Sequence, residues 1–127
     1  MEDTVRNNVL EIARLLEEHR GENVLSIYIG EMSGWTDFFI ISTVRSRAHL
    51  KGLLRILNEF FSRNDIEPLN RHKGTPDEGW VLIDCGEFVI HLMDSERRAF
   101  YELEKLWFKS EVVYSSRSSQ SSSSSIS

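Results

Sequence analysis

One stretch of sequence constrains the fold of this chain more than any other. It consists of WVLIDCGEFVIHLM, which begins at residue 80, and DSERRAFYELEKLWF, which follows directly and ends at residue 108. Both halves of the first segment are rich in β-branched and aromatic residues, with Cys85 and Gly86 between them. That pattern predicts a β-hairpin with a two-residue turn at these positions. Gly86 suits such a turn because glycine tolerates a positive φ that strains other residues.

This turn predicts how the two strands pair: Ile83 faces Phe88, and Trp80 faces His91. Because side chains alternate along a strand, the hairpin has one apolar face and one mixed face. The apolar face carries Val81, Ile83, Phe88, Ile90 and Leu92, and the mixed face carries Trp80, Leu82, Val89 and His91. Such a hairpin belongs in the middle of a sheet rather than at its edge. On the mixed face, Trp80 is compatible with either core packing or partner binding.

The second segment has the sequence of an amphipathic helix. Asp94 or Ser95 can cap its first turn, and Glu96 suits the positive end of the helix dipole. At about 100° per residue its side chains form two stripes. The first stripe, which is enough to dock the helix on a sheet, comprises Ala99, Phe100, Leu103, Leu106 and Trp107. The second comprises Arg97, Tyr101, Glu104 and Phe108. Because docking does not require the second stripe, we predict that Tyr101 and Glu104 lie on a binding surface.

The rest of the chain predicts further elements around this unit. Helices are predicted over 5–19 and 46–63, strands over 24–29 and 36–43, a short strand over 66–69 and a loop over 70–78. Ser46 is a suitable cap for the second helix, and Pro68 would confine the short strand to an edge or to its own start. The order is therefore α-β-β-α-(β)-β-β-α. It predicts a single α/β (α+β) domain with a mixed sheet flanked by helices.

The chain ends in a segment of different composition. Residues 115–127 are almost all serine, which cannot bury enough apolar surface to offset the entropy of ordering. We therefore predict a folded domain over 1–110 and a disordered tail over 111–127.

Bulk properties narrow the class of protein. A chain of 127 residues with 40% hydrophobic residues is long enough for one core, and it has neither a run of roughly 18 apolar residues nor a signal peptide pattern. The single cysteine fits a reducing compartment, so we expect a cytoplasmic protein that is not membrane-bound. The net charge of −5 favours a basic protein partner over RNA. A basic cluster formed by Arg45, Arg47, Lys51 and Arg55, and a basic run over 71–73, are interpreted as solvated surface.

The sequence gives little support for catalysis. Asp37 stands alone before two phenylalanines, although it would approach Asp84 if their strands paired, and two-metal phosphoryl transfer needs several converging carboxylates. The four histidines lack metal-ligand spacing, and His91 is expected to be a structural strand residue rather than a ligand. Cys85 lacks an activating base. No cofactor or metal is therefore expected.

Four motifs stand in a characteristic order: Thr36-Asp37-Phe38-Phe39-Ile40-Ile41, Trp80-Val81-Leu82-Ile83-Asp84, Gly86 followed by Val89-Ile90-His91, and Arg98-x-Phe100-Tyr101-x-Leu103-Glu104-x-Leu106-Trp107. Their order and spacing resemble those of the ribosomal silencing factors, also called the Iojap family, up to about Trp107. The resemblance implies a nucleotidyltransferase-like fold. The chain departs from the family pattern at two positions. Lys73 precedes Gly74, where an acidic residue is usual, and Cys85 stands where tyrosine is common.

The resemblance also implies a function without a reaction. Such a protein would repress translation by binding the large ribosomal subunit through its protein number fourteen, which sterically blocks joining of the small subunit. The partner-binding residues expected on this basis are Trp80, His91, Arg97, Tyr101, Glu104 and Phe108, with little or no direct RNA binding. Two alternatives stay open: a nucleotide-handling enzyme of nucleotidyltransferase-like fold, and a homodimer that uses the Tyr101 stripe as its interface.

Overall fold

A computed structural model describes residues 2–30, 34, 36–73, 79–96, 98 and 111–116. In chain order the elements are α1 (Glu2–Glu18), β1 (Glu22–Tyr28), β2 (Phe38–Thr43), α2 (Arg47–Arg63), β3 (Asn70–Lys73), β4 (Trp80–Asp84), β5 (Phe88–Met93) and β6 (Glu111–Ser115). The six strands form one sheet in the order β3-β4-β5-β2-β1-β6. The β2–β5 pair is parallel and every other pair is antiparallel, so the predicted mixed α/β architecture is confirmed.

Both long helices contribute to a core on one face of the sheet. Each helix places an apolar stripe at helical spacing against the strands, as an amphipathic helix must to bury its apolar side. The buried residues include Val9, Ile12 and Leu16 from α1, Leu50, Leu53 and Leu57 from α2, and Phe38, Ile40, Ile83, Ile90 and Leu92 from the sheet. Within the described part of the chain, no helix is both long and apolar enough to cross a membrane.

The ends of the two helices follow from local chemistry. The Ser46 side chain accepts a hydrogen bond from the His49 backbone N–H at 3.0 Å, which confirms the predicted cap of α2. After α1, Arg20 adopts a left-handed φ of 72° and the Gly21 N–H donates to the Leu16 carbonyl at 2.7 Å. A Cβ on Gly21 would lie 2.8 Å from the Leu16 carbonyl oxygen, a backbone atom, and 2.5 Å from the Ser42 Oγ, so this position requires glycine.

The hairpin forms where it was predicted, but its pairing differs from the prediction. Ile83 pairs with Ile90 rather than with Phe88, and Trp80 pairs with Met93 rather than with His91. The turn is centred on Gly86, whose φ is 87°, and the Glu87 N–H closes it by donating to the Cys85 carbonyl at 3.1 Å. The whole register therefore moves by two residues. An even shift preserves side-chain alternation, so the predicted apolar and mixed faces are retained.

Two other predictions about strands are corrected. The short strand lies at Asn70–Lys73 rather than at 66–69, so the first four residues of the predicted 70–78 loop belong to the sheet. It does occupy a sheet edge, and the Leu69 N–H already donates to the Asp84 carbonyl at 2.8 Å. Pro68 cannot donate a ladder hydrogen bond, and the strand begins beyond it.

The predicted tail over 111–127 is wrong at its start. Glu111–Ser115 form β6, which pairs antiparallel with β1, and the Ser116 Oγ accepts a hydrogen bond from the Val24 N–H at 2.9 Å. The reason is that Val112, Val113 and Tyr114 form a short β-prone run before the serines, and the outer edge of β1 offers it a ladder. Residues 117–127 lie outside the described residues.

Candidate functional site

The sheet has a second face, directed away from α1 and α2, which we call the distal face. Strand residues on it alternate with the core residues given above. It comprises Leu25 and Ile27 from β1, Phe39, Ile41 and Thr43 from β2, Trp80 and Leu82 from β4, and Val89, His91 and Met93 from β5. Leu25, Ile27 and Ile41 form a buried cluster against which Phe39 packs. The distal face is therefore a second apolar surface and not a solvated one.

An aromatic row crosses the distal face from β2 to β4. The His91 imidazole lies edge-on between two rings, with centroid distances of 6.1 Å to Phe39 and 6.1 Å to Trp80. These separations and the tilted orientation are typical of favourable edge-to-face pairs. His91 is 8% exposed, whereas Phe39 and Trp80 are half-buried. The row thus has a buried centre and two aromatic ends that retain accessible surface.

His91 is held neutral in this position. Burial, and secondarily the positive charge of Arg98, lower the pKa of His91 from 6.5 to about 4. The neutral imidazole can pack between aromatic rings at physiological pH without burying a charge. The prediction that His91 serves as a structural strand residue agrees with this environment.

Arg98 links the beginning of the third helical segment to the distal face. Residues 95, 96 and 98 are helical, and the Arg98 N–H donates to the Asp94 carbonyl at 3.1 Å, as expected for a first helical turn. Its guanidinium donates to the Asn23 carbonyl at 2.6 Å and to the Thr43 Oγ1 at 3.0 Å. Arg98 is only 4% exposed. Because an arginine so deeply buried must satisfy its donors, it fixes the helix start against β1 and β2.

The structure brings together two of the predicted binding residues. Trp80 and His91 are neighbours on the distal face, on adjacent strands. The other four, Arg97, Tyr101, Glu104 and Phe108, lie outside the described residues, as does the whole predicted first stripe of that helix.

Sequence reasoning did not single out Phe39 or Arg98 as individual site residues. The near-continuous apolar sequence of β2 was a sign that both of its faces are covered, and from this Phe39 could have been assigned to the distal face. For Arg98 no comparable signal exists, because its two acceptors lie 75 and 55 positions away in the chain.

The geometry separates the groups that a transferase would need. Asp37 precedes β2 and Asp84 ends β4, and β5 lies between these two strands. Strands β2 and β4 therefore do not pair, although the sequence had left that pairing open. The Asp84 carboxylate instead accepts a hydrogen bond from the Gly86 N–H at 2.8 Å. Burial and the nearby Asp84 charge raise the pKa of the Cys85 thiol to about 12, which keeps it protonated at neutral pH. In the part of the chain that the structure describes, no three His, Cys, Asp or Glu side chains converge as metal ligands.

Fold and site together define a small α/β protein with a helix-covered sheet face and a second face that carries an aromatic row. A family model described as "Ribosomal silencing factor during starvation" matches residues 2–126. The chain belongs to this family of ribosomal silencing factors.

Individual relatives agree with this assignment. The chain is 34% identical to a ribosomal silencing factor of Treponema pallidum over 97 residues, which cover 76% of this chain and 86% of that protein. It is 32% identical over 100 residues to the mouse protein named "Mitochondrial assembly of ribosomal large subunit protein 1", covering 76% of this chain and 43% of the mouse protein. A crystal structure from Bacillus halodurans superposes with a TM-score of 0.69 at 28% identity, covering 85% of this chain and 98% of that one.

Proposed function

We propose that this protein represses translation in the cytoplasm by binding the large ribosomal subunit and preventing the small subunit from joining. Its contact on the large subunit is the ribosomal protein numbered fourteen. The mechanism is steric, since a bound factor occupies the space that the small subunit needs, and it requires neither a reaction nor a cofactor. Family membership supports the ribosomal association. The mouse relative, whose name refers to assembly of the ribosomal large subunit, supports the choice of subunit.

The single observation that carries the proposal is the aromatic row on the distal face. Tryptophan and other aromatic residues are enriched at the centres of protein interfaces because each supplies a large, rigid, amphipathic surface. The half-buried Trp80 is braced by the buried His91 at a centroid distance of 6.1 Å, so little side-chain entropy would be lost when a partner covers it. Phe39 braces His91 from the opposite side. This arrangement presents a pre-organised anchor.

The helix that follows β5 is proposed to complete the binding surface. Arg98 fixes the start of that helix against the sheet, on the same face as Trp80. We propose that Tyr101 and Glu104, with Arg97 and Phe108 around them, contact the partner. Tyr101 would act as a second aromatic anchor, and Glu104 would offer a carboxylate to a basic protein surface. A net charge of −5 for the chain is consistent with a basic partner.

Sedimentation of purified large and small subunits in the presence of the protein tests this function. The wild-type protein should migrate with large subunits and reduce the peak of joined ribosomes. A central aromatic anchor contributes about 2 kcal/mol or more, so Trp80→Ala and Tyr101→Ala should each weaken binding by roughly 30-fold. Glu104→Arg should cause a comparable loss that varies with salt. Leu69→Ala is the matched control, since Leu69 is 70% exposed and lies beside the hairpin turn at Gly86, away from the aromatic row.

The aspartates distinguish this function from an enzymatic one. Asp37→Ala and Asp84→Ala remove the carboxylates that a nucleotidyltransferase would need, and a steric repressor does not depend on them. Each variant is first checked for folding, because the Asp84 carboxylate also holds the hairpin turn. If folded aspartate variants no longer block joining while the Trp80 and Tyr101 variants still do, the steric mechanism is wrong.

A further inference from the structure

The exposed face of α2 has a charge opposite to that of the chain as a whole. The chain carries a net charge of −5, yet Arg47, Lys51, Arg55 and Arg63 project from this helix with Glu59 as its only acidic residue. All five side chains are exposed. Arg47, Lys51 and Arg55 follow one another at intervals of four residues, so they lie in a row along one side of the helix, about 6 Å apart. We call this row the α2 basic row.

The placement of Arg47 does not serve the stability of the helix, whereas Arg63 in the last turn complements the helix dipole. Arg47 is the first residue of α2, where the partial positive charge of the helix end disfavours a cation, and the first turn contains no acidic residue. Among the ion pairs formed within the described residues, none involves Arg47 or Arg55. A feature that opposes a local rule without a compensating contact is expected at a functional surface.

Positive charge also surrounds the beginning of the row. Arg20 and Arg45, together with Ser46 and His49, line an open pocket beside the first turn of α2. Arg45 is partly neutralised by the Glu22 carboxylate at 3.6 Å, and both side chains are more than half exposed. A neighbouring pocket at the same helix end contains Arg45 and Arg47 together with the acidic Asp94 and Glu96, so the positive charge is concentrated on the side that faces Arg20 and His49.

The composition of the face distinguishes between two kinds of acidic partner. A protein interface typically has an apolar centre, and α2 offers little for one: its exposed positions hold no large apolar side chain, and only Leu54 and Ile56 are half-buried. Leu69, the one exposed large hydrophobic residue among those described, is not on this helix. Binding to a nucleic-acid backbone needs only cations arranged along a line of phosphates.

We propose that the α2 basic row binds the phosphate backbone of ribosomal RNA and so forms a second contact with the ribosome, on the side of the molecule opposite the distal face. This inference rests on the proposed function, because the large subunit is what supplies the RNA. It replaces two expectations from the sequence: that the basic cluster is merely solvated, and that the chain makes little or no direct contact with RNA. The contact is independent of RNA sequence and adds affinity that declines as salt rises.

The salt dependence of large-subunit binding tests the proposal. Each phosphate contact adds about 0.9 to the slope of log affinity against log salt, so Arg47→Ala with Arg55→Ala should lower that slope by roughly two. Between 50 and 200 mM salt, the double variant should therefore lose about tenfold less affinity than the wild type. Arg14→Ala is the control: Arg14 is a 58% exposed arginine on α1, paired with Glu11, and its slope should equal that of the wild type. An unchanged slope in the double variant would overturn the proposal.

A photocrosslinking residue at Asn58, which is exposed and continues the row, identifies the partner chemically. When the crosslinking residue is placed in an otherwise wild-type protein, crosslinks to RNA support the proposal. Crosslinks to protein alone overturn it in favour of an acidic protein surface.

The Trp80→Ala variant separates the two contacts with the ribosome, since it should weaken binding without altering the salt slope. If the wild-type protein binds no large subunits at all, the proposed function fails and this inference with it. Normal binding with an unchanged slope refutes this inference alone.

Discussion

The guanidinium of Arg98 donates a hydrogen bond to the hydroxyl of Thr43 at 3.0 Å, and this contact joins the helix that follows β5 to the end of β2. The same guanidinium donates to the Asn23 carbonyl at 2.6 Å, where β1 has an irregular register and Asn23 a positive φ of 49°. One buried side chain therefore ties together two strands and the start of the helix proposed to complete the binding surface. The start of that helix is therefore held by two contacts with residues that are distant in the chain.

The hydrogen bond between Arg98 and Thr43 predicts that substitutions at these two residues have non-additive effects on the free energy of unfolding. Arg98→Ala should reduce the free energy of unfolding by roughly 2–4 kcal/mol, because it leaves the Asn23 and Thr43 acceptors without their charged donor. Thr43→Val, which keeps the shape and removes the hydroxyl, should cost about 1–3 kcal/mol. Since the two residues contact each other, a double-mutant cycle by urea denaturation should show a coupling of at least about 1 kcal/mol. Additive effects would mean that the hydrogen bond contributes nothing to stability.

A comparison of the hairpin with its prediction shows what local sequence determines. Alternation identified which side chains share a face, and that assignment is correct at all five apolar positions, from Val81 to Leu92. The pairing was misplaced because Cys85-Gly86 and Gly86-Glu87 are both plausible two-residue loops around one glycine. Only the backbone hydrogen bonds distinguish them. The shared face of Trp80 and His91 could thus be predicted, but the 6.1 Å contacts of His91 with Trp80 and Phe39 could not.

Elements held by distant partners were the least predictable. β6 was missed because a run of three β-prone residues before the serines is too short to identify a strand by itself, and its pairing partner, β1, lies more than 80 residues earlier. The position of β3 was misjudged for a related reason, since its polar sequence NRHK becomes a strand only through pairing with β4. Tertiary context overrides weak local propensity in both cases.

The environment of His91 predicts a specific dependence of stability on pH. Its pKa is about 4 in the folded protein and 6.5 in a solvated reference state, so the unfolded chain binds a proton more readily between these values. The folded protein should be fully stabilised above pH 6.5 and should lose up to about 3 kcal/mol as the pH falls from 6.5 to 4.

His91→Phe, which retains an aromatic ring and removes the titration, isolates this contribution. Urea denaturation at several pH values should give a shallower decline for the variant than for the wild type, because the carboxylates titrate in both. Parallel curves for the two proteins would show that His91 is not responsible.

Strand β6 predicts that the folded domain ends later than residue 110. A chain ending at residue 116 retains the pairing with β1 and the Ser116 Oγ that accepts from the Val24 N–H, so its melting temperature should equal that of the full chain. A chain ending at residue 110 also loses the Tyr114 hydroxyl that donates to the Glu17 carboxylate and the ion pair between Arg6 and Glu111.

The exposed ion pair contributes little, whereas the loss of half-buried Val112, Val113 and Tyr114 should cost at least about 1 kcal/mol. For a domain of this size, that corresponds to a melting temperature lower by roughly 4 °C. Ser116→Ala in the longer chain separates the contribution of the hydroxyl from that of the strand. Thermal unfolding followed by circular dichroism provides the comparison. Equal melting temperatures for the chains ending at 110 and at 116 would mean that β6 adds nothing to the stability of the domain.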